Sequence, residues 1–481
     1  MPKRKPSWEF KVAPDAVTGE QWSPWAHQLD SFERWKDKAQ YAPLWEMGTG
    51  KTSIGANLLA RRFARKDVAK AVILLPQQVS YAWQHELWAG HGLPSLNLSD
   101  VGSSAKREKM LRENKATIAL MNYEGLVGIE DPLLDWLGKD YASLADESTF
   151  IKNARAQCTK AADRIGYDAH IRHIFTGTLL PQGPQDVFGQ YLFLDHTIYG
   201  RSFVNFRSQW LKMGGFQAKQ ILGLQRGKEE AFNELIYSVA DRRTKAECLG
   251  MPPKNYATPV RYKLSPAEKK VYDDLAQHWV AEVRSGKITT TNGMTRSLRL
   301  AQACTGFVGD REAGETKIYD IGSGSKLKAL DGLLDTVDGK VIVWCAWLKN
   351  VQDISKLLTK RKIKHVIYDS TNKDKHGAEM AFRSDPDIRV FLGTGTSGGP
   401  GLNLQGPEVK TVIYFSQNYS NFYRMQSEDR AHRGSIKHTV TIIDMVAEKT
   451  VEESIIKGLR GKRDFQEFLL QDPEKFVGGL L

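Results

Sequence analysis

Glu46-Met47-Gly48-Thr49-Gly50-Lys51-Thr52 has the residue types that a polyphosphate requires. Gly48 and Gly50 let backbone N–H groups approach an anion. The apolar-periodic run Ser53–Arg65 predicts a helix whose N-terminus adds unpaired donors and a positive dipole end. Lys51 has the reach for β- and γ-phosphates, and the Thr52 hydroxyl suits Mg²⁺. An ordinary turn before a helix fits the same spacing, since Trp45 stands where the fuller pattern G-x-x-x-x-G-K-[ST] begins with glycine. Roughly 95 residues later, as a Walker B follows a Walker A, a short apolar run ends in Asp146-Glu147. Asp146 can enter the Mg²⁺ shell, and Glu147 can orient and deprotonate the attacking water. Thr176-Gly177-Thr178 closes the next apolar run. Its hydroxyls can bond the acidic pair, or the segment can be a plain β-turn. Arg430 and Arg433, within Gln426–Gly434, are three apart and would share one helix face. Two guanidinium groups so placed suit the charge of a γ-phosphate in its transition state, while a mixed-charge exposed helix is the plainer alternative. Because Arg433 is far along the chain from Lys51, two lobes must close on ATP to complete such a site. ATP then joins the lobes and hydrolysis releases them, which is a motor.

The elements that must position these residues follow from the apolar runs. Ala71–Leu75, Thr117–Met121, Tyr141–Ala145 and Ile171–Phe175 read as buried strands in the first half. Val341–Cys345, His365–Tyr368, Arg389–Leu392, Thr411–Phe415 and Thr439–Ile443 do so in the second. They alternate with helical patterns, which predicts parallel α/β architecture. Between the two blocks lies a charged stretch from about 195 to 330, helical in pattern, with a capped helix start at Ser265. Met251-Pro252-Pro253-Lys254 is the linker signal, because consecutive prolines stop helices and forbid ladder pairing. The expected division is a basic extension 1–20, a first lobe 21–253 with a helical insertion at about 196–250, and a second lobe 254–481 with one at about 265–325.

Composition narrows the partners. Lys and Arg number 68 against 56 Asp and Glu, giving a net charge of +12 over 481 residues. That balance favours a polyanion, most simply nucleic acid. No apolar run approaches the roughly 18–20 residues that span a bilayer, so no membrane role is expected. The basic start is followed by polar residues, which argues against a secretory signal. Four cysteines lie far apart with no C-x-x-C pair, so neither structural zinc nor a disulfide framework is expected, and a reducing cytoplasm fits.

Taken in order, the motifs resemble superfamily 2 helicases, and among them the Swi/Snf-type double-stranded DNA translocases, over about residues 20–460. Pro24–Gln28 is similar to the adenine-reading Q motif, with Gln28 the reader. Glu46–Thr52 resembles motif I, Leu75-Pro76 with Trp83 and Glu86 motif Ia, and Asn122–Glu124 motif Ib. Asp146–Asn153 resembles motif II and Thr176–Thr178 motif III. Arg242–Lys245, with Pro252 and Lys254, resembles the segment joining the lobes. Val341–Ala346 resembles motif IV, Gly398–Leu404 motif V, Gln426–Gly434 motif VI, and Thr450–Glu453 the element after it.

The resemblance implies two RecA-like domains with helical protrusions, ATP and Mg²⁺ as cofactors, and translocation on duplex or forked DNA without sequence preference, in replication, recombination or repair remodelling. It makes Arg433 the arginine finger, Arg430 its companion, and Gly401 and Gln426 coupling residues. Asn122, Thr396 and Ser397 become candidate contacts to DNA phosphates. The basic cluster Arg460, Lys462 and Arg463 reads as a solvated helix end or a DNA track. A compact phage or bacterial member, working as a monomer in a bacterial or phage-infected cytoplasm, is expected. Three departures stand out. Ser148-Thr149 replaces the usual small residue and His after the acidic pair, so coupling through that His is lost or rerouted. Leu179 replaces Pro, and Gly434-Ser435 shortens the end of motif VI. A strand-separating DNA or RNA helicase, a protein-displacing translocase, and a nucleotide-gated DNA clamp with little turnover are the competing functions.

Overall fold

The computed structural model describes residues 8–214, 220–284, 290–312, 315–322, 324–395, 402–406, 408–417, 419–433 and 436–460. Thr396, Ser397, Gly401, Lys462 and Arg463 lie outside the described residues. The chain divides into two compact units, residues 1–251 and 252–481.

The first unit is a seven-stranded sheet. Its strands are β1 (Gln40–Trp45), β2 (Lys70–Leu75), β3 (Ser95–Asn97), β4 (Ile118–Asn122), β5 (Tyr141–Asp146), β6 (Ile171–Phe175) and, after a β7–β8 hairpin (Leu211–Gly214 and Gln220–Leu224), β9 (Ala240–Arg243). The order is β3-β4-β2-β5-β6-β1-β9, and every ladder is parallel. Period-two alternation divides the side chains between two cores. Ala42, Leu44, Val72, Leu74 and Met121 face one side, while Tyr41, Trp45, Ile73, Leu75 and Leu144 face the other.

The second unit repeats the plan. Its strands are β10 (Asn255–Tyr256), β11 (Val260–Tyr262), a β12–β13 hairpin (Phe307–Glu312 and Glu315–Asp320), β14 (Lys340–Cys345), β15 (His365–Tyr368), β16 (Val390–Thr394), β17 (Val409–Tyr414) and β18 (Thr441–Ala447). They order as β10-β18-β17-β14-β16-β15, with β11 also on β18. The two parallel α/β units are the architecture expected of a RecA-like pair. The expected strand runs all form strands, because unbroken β-branched and aliphatic runs can be covered on both faces only by flanking helices.

The middle stretch departs from the helical expectation. It holds helices, including Pro266–Arg284 and Thr290–Ala303, but also two antiparallel hairpins. The Ser265 start is a capping box: Ser265 N donates to Glu268 Oε2 at 2.8 Å and Glu268 N to Ser265 Oγ at 3.3 Å. The arginine segment Arg242–Lys245 begins inside β9, in the first unit's sheet, and is not a free connector. No helix among the described residues is long and apolar enough to cross a membrane.

Candidate nucleotide site

In a parallel sheet, ligand chemistry gathers where strands end. Register places Trp45 beside Arg243 and Asp146 beside Phe175 at one carboxyl edge. The phosphate-loop motif follows β1, Asp146 ends β5, Asn122 ends β4, and Thr176 follows β6. Since β6 lies between β5 and β1, the Thr176–Thr178 turn sits between the acidic pair and the loop. A Cβ on Gly177 would lie 3.2 Å from Trp45 O, tighter than an ordinary contact, so glycine eases the close approach of this turn to the loop.

The loop itself is braced by backbone contacts. Gly48 and Gly50 have φ of 79° and 85°, the left-handed region that glycine takes without strain. Thr49 Oγ1 donates to Glu46 O at 2.7 Å, and Lys51 Nζ to Trp45 O at 2.8 Å. His27 Nε2 donates to Thr49 O at 2.8 Å. The Gln28 amide, expected to read adenine, bonds the chain here: it accepts from Trp25 N at 2.8 Å and donates to Gly50 O at 3.2 Å. Met47 is half-buried in the same turn. Glu46 Oε2 accepts from Lys245 N at 2.8 Å, tying the loop to the helix after β9. No local pattern marks Asp241, whose carboxylate accepts from Ser31 Oγ (2.5 Å), Tyr41 OH (2.7 Å) and Trp45 Nε1 (2.9 Å). It pins the strand that leads into the loop.

The acidic pair is held by neutral donors. Trp83 Nε1 donates to Asp146 Oδ2 at 2.7 Å, Glu147 N to Asp146 Oδ1 at 3.0 Å, and Tyr123 OH to the Asp146 carbonyl at 2.6 Å. Burial raises the Asp146 pKa above the usual carboxylate range, and the neighbouring Glu147 charge adds to this, while Trp83 and Lys51 oppose it. Glu147 has φ 48° and ψ 55°, a left-handed conformation costing a non-glycine residue about 1–2 kcal/mol. Such a residue needs anchors on both sides. Asp146 is one. The other is Ser148, fully buried, whose hydroxyl donates to Gln190 Oε1 at 2.7 Å.

Other expectations change. The Thr176 hydroxyl accepts from Thr178 N at 3.1 Å, which is a local turn and not a bond to the acidic pair. The Asn122 amide is used inside the chain, accepting from Arg107 at 3.4 Å and donating to Glu124 at 3.3 Å. Arg460, read as a solvated helix end or DNA track, instead closes on Asp444 at 2.8 Å and on the Ala257 carbonyl at 2.9 Å.

In the second unit the arginine motif lies on the helix Asn421–Ala431, which ends at His432 (φ −103°, ψ 83°). Arg433 therefore lies past the helix and shares no helical face with Arg430. The chain leaves the helix where His432 Nε2 donates to Pro252 O at 2.7 Å. Arg430 is fully buried, with one guanidinium nitrogen 3.5 Å from Leu402 O, and its carbonyl accepts from Leu404 N at 3.1 Å. The shared-face expectation is thereby corrected: Arg430 holds the 402–404 segment to the helix, and Arg433 is the more accessible of the two. Gln426 is buried on the same helix. Around it runs a charge network that sequence reading missed. Arg424 stacks 3.5 Å from the Tyr414 ring and bonds Glu428 (2.8 Å), Gln417 (2.8 Å) and Asp444 (2.6 Å). Lys254, from the Pro-Pro segment, bonds Glu428 at 3.0 Å and Asp429 at 2.9 Å.

The donors fit Mg²⁺. Thr52 and Asp146 offer two hard oxygens, a hydroxyl and a carboxylate. Mg²⁺ suits such sparse sites, because it keeps waters and takes its remaining oxygens from substrate phosphates.

Two family models match this chain. An SNF2-related domain model matches residues 45–306, and a helicase conserved C-terminal domain model matches 325–435. An uncharacterized ATP-dependent helicase of Mycoplasma genitalium is 25% identical over 448 residues, covering 90% of this chain and 40% of that one. A probable ATP-dependent DNA helicase of Arabidopsis thaliana, CHR12, is 25% identical over 451 residues, covering 89% and 40%. The chain thus spans well under half the length of these relatives. A solved SWI2/SNF2 ATPase core of Sulfolobus solfataricus in complex with dsDNA aligns over 96% of this chain and 95% of that one, at 18% identity and a TM-score of 0.42. The SNF2-related model covers more than half of the sequence, and the chain belongs to the SNF2-related family.

Proposed function

We propose that this chain is an ATP-hydrolysing motor that translocates on duplex or forked DNA, remodelling branched intermediates of replication, recombination or repair. One observation carries the reading: segments 46–52, 146–148 and 176–178, distant in sequence, meet at one carboxyl edge of one parallel sheet. In this reading Lys51 and the loop amides bind the β- and γ-phosphates, and Thr52 and Asp146 hold Mg²⁺. The bound ion would neutralise phosphate charge. Glu147 orients the attacking water and takes its proton. Arg433 stabilises the charge that develops in the transition state. DNA is supported by the net charge of +12 and by family membership. Sequence-independent phosphate contacts follow from that charge. The protein acts as a monomer in a bacterial or phage-infected cytoplasm.

The test is steady-state ATPase activity with no polymer, single-stranded DNA, duplex DNA, forked DNA and RNA, with Glu147→Gln as contamination control. Stimulation by duplex or forks supports the translocase. Stimulation by single strands or RNA alone replaces it with a helicase. Tight ATP and DNA binding without turnover replaces it with a clamp.

A further inference from the structure

The turn after the acidic pair and the turn after β6 are bracketed by the first part of the helical run Asp186–Tyr199, which kinks at Asp195 (φ −159°, ψ 97°). Two adjacent residues on it make the contacts. Gly189 approaches the first turn so closely that a side chain there would lie 2.2 Å from Ile151 O and 2.7 Å from Lys152 O. Gln190, fully buried, uses its whole amide. Its Oε1 accepts from Ser148 Oγ at 2.7 Å, and its Nε2 donates at 2.8 Å both to Leu179 O and to Asp186 O, the latter in its own helix. Asp186 in turn accepts from Gln182 N at 2.7 Å. This helical segment therefore ties Ser148 to Leu179, at two of the three places where the chain departs from the family pattern.

We infer that Gln190 is a positioning residue for hydrolysis, acting through Ser148 to hold Glu147 in its left-handed backbone conformation and in register with the 176–179 turn. The argument is geometric. Ser148 directly follows the strained residue, and its side chain has one hydrogen-bond partner, Gln190. Trp83 and Tyr123 anchor the Asp146 side, so they fix one end of the Glu147 backbone and leave the other to Ser148. Without the Ser148–Gln190 bond, Glu147 can relax toward an ordinary backbone conformation and its carboxylate swings away. Neither residue touches the phosphate loop, so nucleotide binding is not their task.

This inference rests on the ATPase reading. The test compares Gln190→Leu, Ser148→Ala and the double variant, measuring thermal melting, binding of a fluorescent ATP analogue, and kcat and KM with and without duplex DNA. Expected are analogue affinity and KM within about twofold of wild type, and kcat lower by on the order of tenfold or more, the cost of a misplaced catalytic group. The double variant should match Gln190→Leu alone, because both changes break one link. Variants that melt earlier but keep wild-type kcat would overturn the inference, making the pair a satisfied core contact. So would equal losses in analogue binding and kcat. A wild-type protein without turnover on any polymer fails the ATPase reading itself, which is a separate outcome.

Discussion

The acidic site of the first unit and the arginine helix of the second are held in opposite ways. Around Asp146 and Glu147 the supporting groups are neutral: an indole, a phenol, a serine and a glutamine. Around the arginine helix they are charged: Arg424, Glu428, Asp444 and Lys254 interlock in a nearly solvent-free network. Neutral donors orient a carboxylate without cancelling its charge, which leaves it able to attract a cation or a proton. Charged partners fix a helix firmly, but each depends on its neighbour, since a buried charge without its counter-ion is costly. Substitutions should therefore alter rate in the first unit and folding in the second.

The largest effect expected is at Glu147. Glu147→Gln should lower turnover by on the order of 10³ while melting temperature and nucleotide affinity stay close to wild type. Single-turnover hydrolysis and a binding titration check both halves. A protein that loses turnover because it unfolds would break the contrast between the units.

Asp444→Asn is the counterpart. It removes the carboxylate facing both Arg424 and Arg460, and should cost the second unit about 3 kcal/mol or more. Denaturant unfolding monitored separately for each unit would read this. A variant with unchanged midpoint would mean the network contributes no net stability. Arg433→Ala sharpens the point within the same motif. Lying past the helix end, it should reduce hydrolysis by about 10³ with little change in stability, whereas Arg430→Ala should destabilise the unit.

Trp83→Phe should have a smaller effect. It keeps an aromatic ring against Phe175 but removes the donor to Asp146 together with part of the buried indole. Loss of one such bond corresponds to about 1–2 kcal/mol, read as a several-fold rise in the Mg²⁺ concentration needed for half-maximal rate. An unchanged Mg²⁺ dependence would assign Trp83 to packing alone.

How much of this the sequence carries depends on whether the signal is local. The parallel strands were legible because apolar runs such as Val341–Cys345 are intelligible only as buried strands. The phosphate-loop motif was legible because its glycines and lysine are contiguous. β9 was not, because Ala-Asp-Arg-Arg has no strand pattern. Its Asp241 is buried only because Ser31, Tyr41 and Trp45 converge on it from elsewhere in the chain. The Arg430–Arg433 spacing misled for a related reason. It assumed a helix through 433, and the helix ends at His432, where a tertiary bond to Pro252 takes over. Glu147's backbone conformation and the Gln190 bracket have no sequence signature of their own. The departure at Ser148 marked the place but not the partner.

The smallest effect expected is in acid sensitivity, and it differs between the units in its pH window. In the first unit burial lowers the His173 pKa to about 3, with Arg62 adding to the shift, and burial lowers His91 to about 4. Both imidazoles are neutral when folded near neutrality. Below about 6.5 the unfolded chain protonates these two imidazoles while the folded unit does not, so their contribution to stability falls from there toward pH 3. In the second unit burial opposes the charge of Asp444, but Arg424 and Arg460 outweigh it and hold its pKa below the usual carboxylate range. Its contribution is complete above the unfolded carboxylate value of about 4 and is lost only as pH falls further through the folded value. Between pH 6.5 and 4.5 the two imidazoles should therefore weaken the first unit, against the raised Asp146 carboxyl, which acts in the opposite sense, while the second is unaffected by Asp444. Urea midpoints across that range, taken with His173→Leu beside wild type, test the claim. The substitution should flatten the first unit's decline. A decline of equal slope in the variant would remove His173 as its cause.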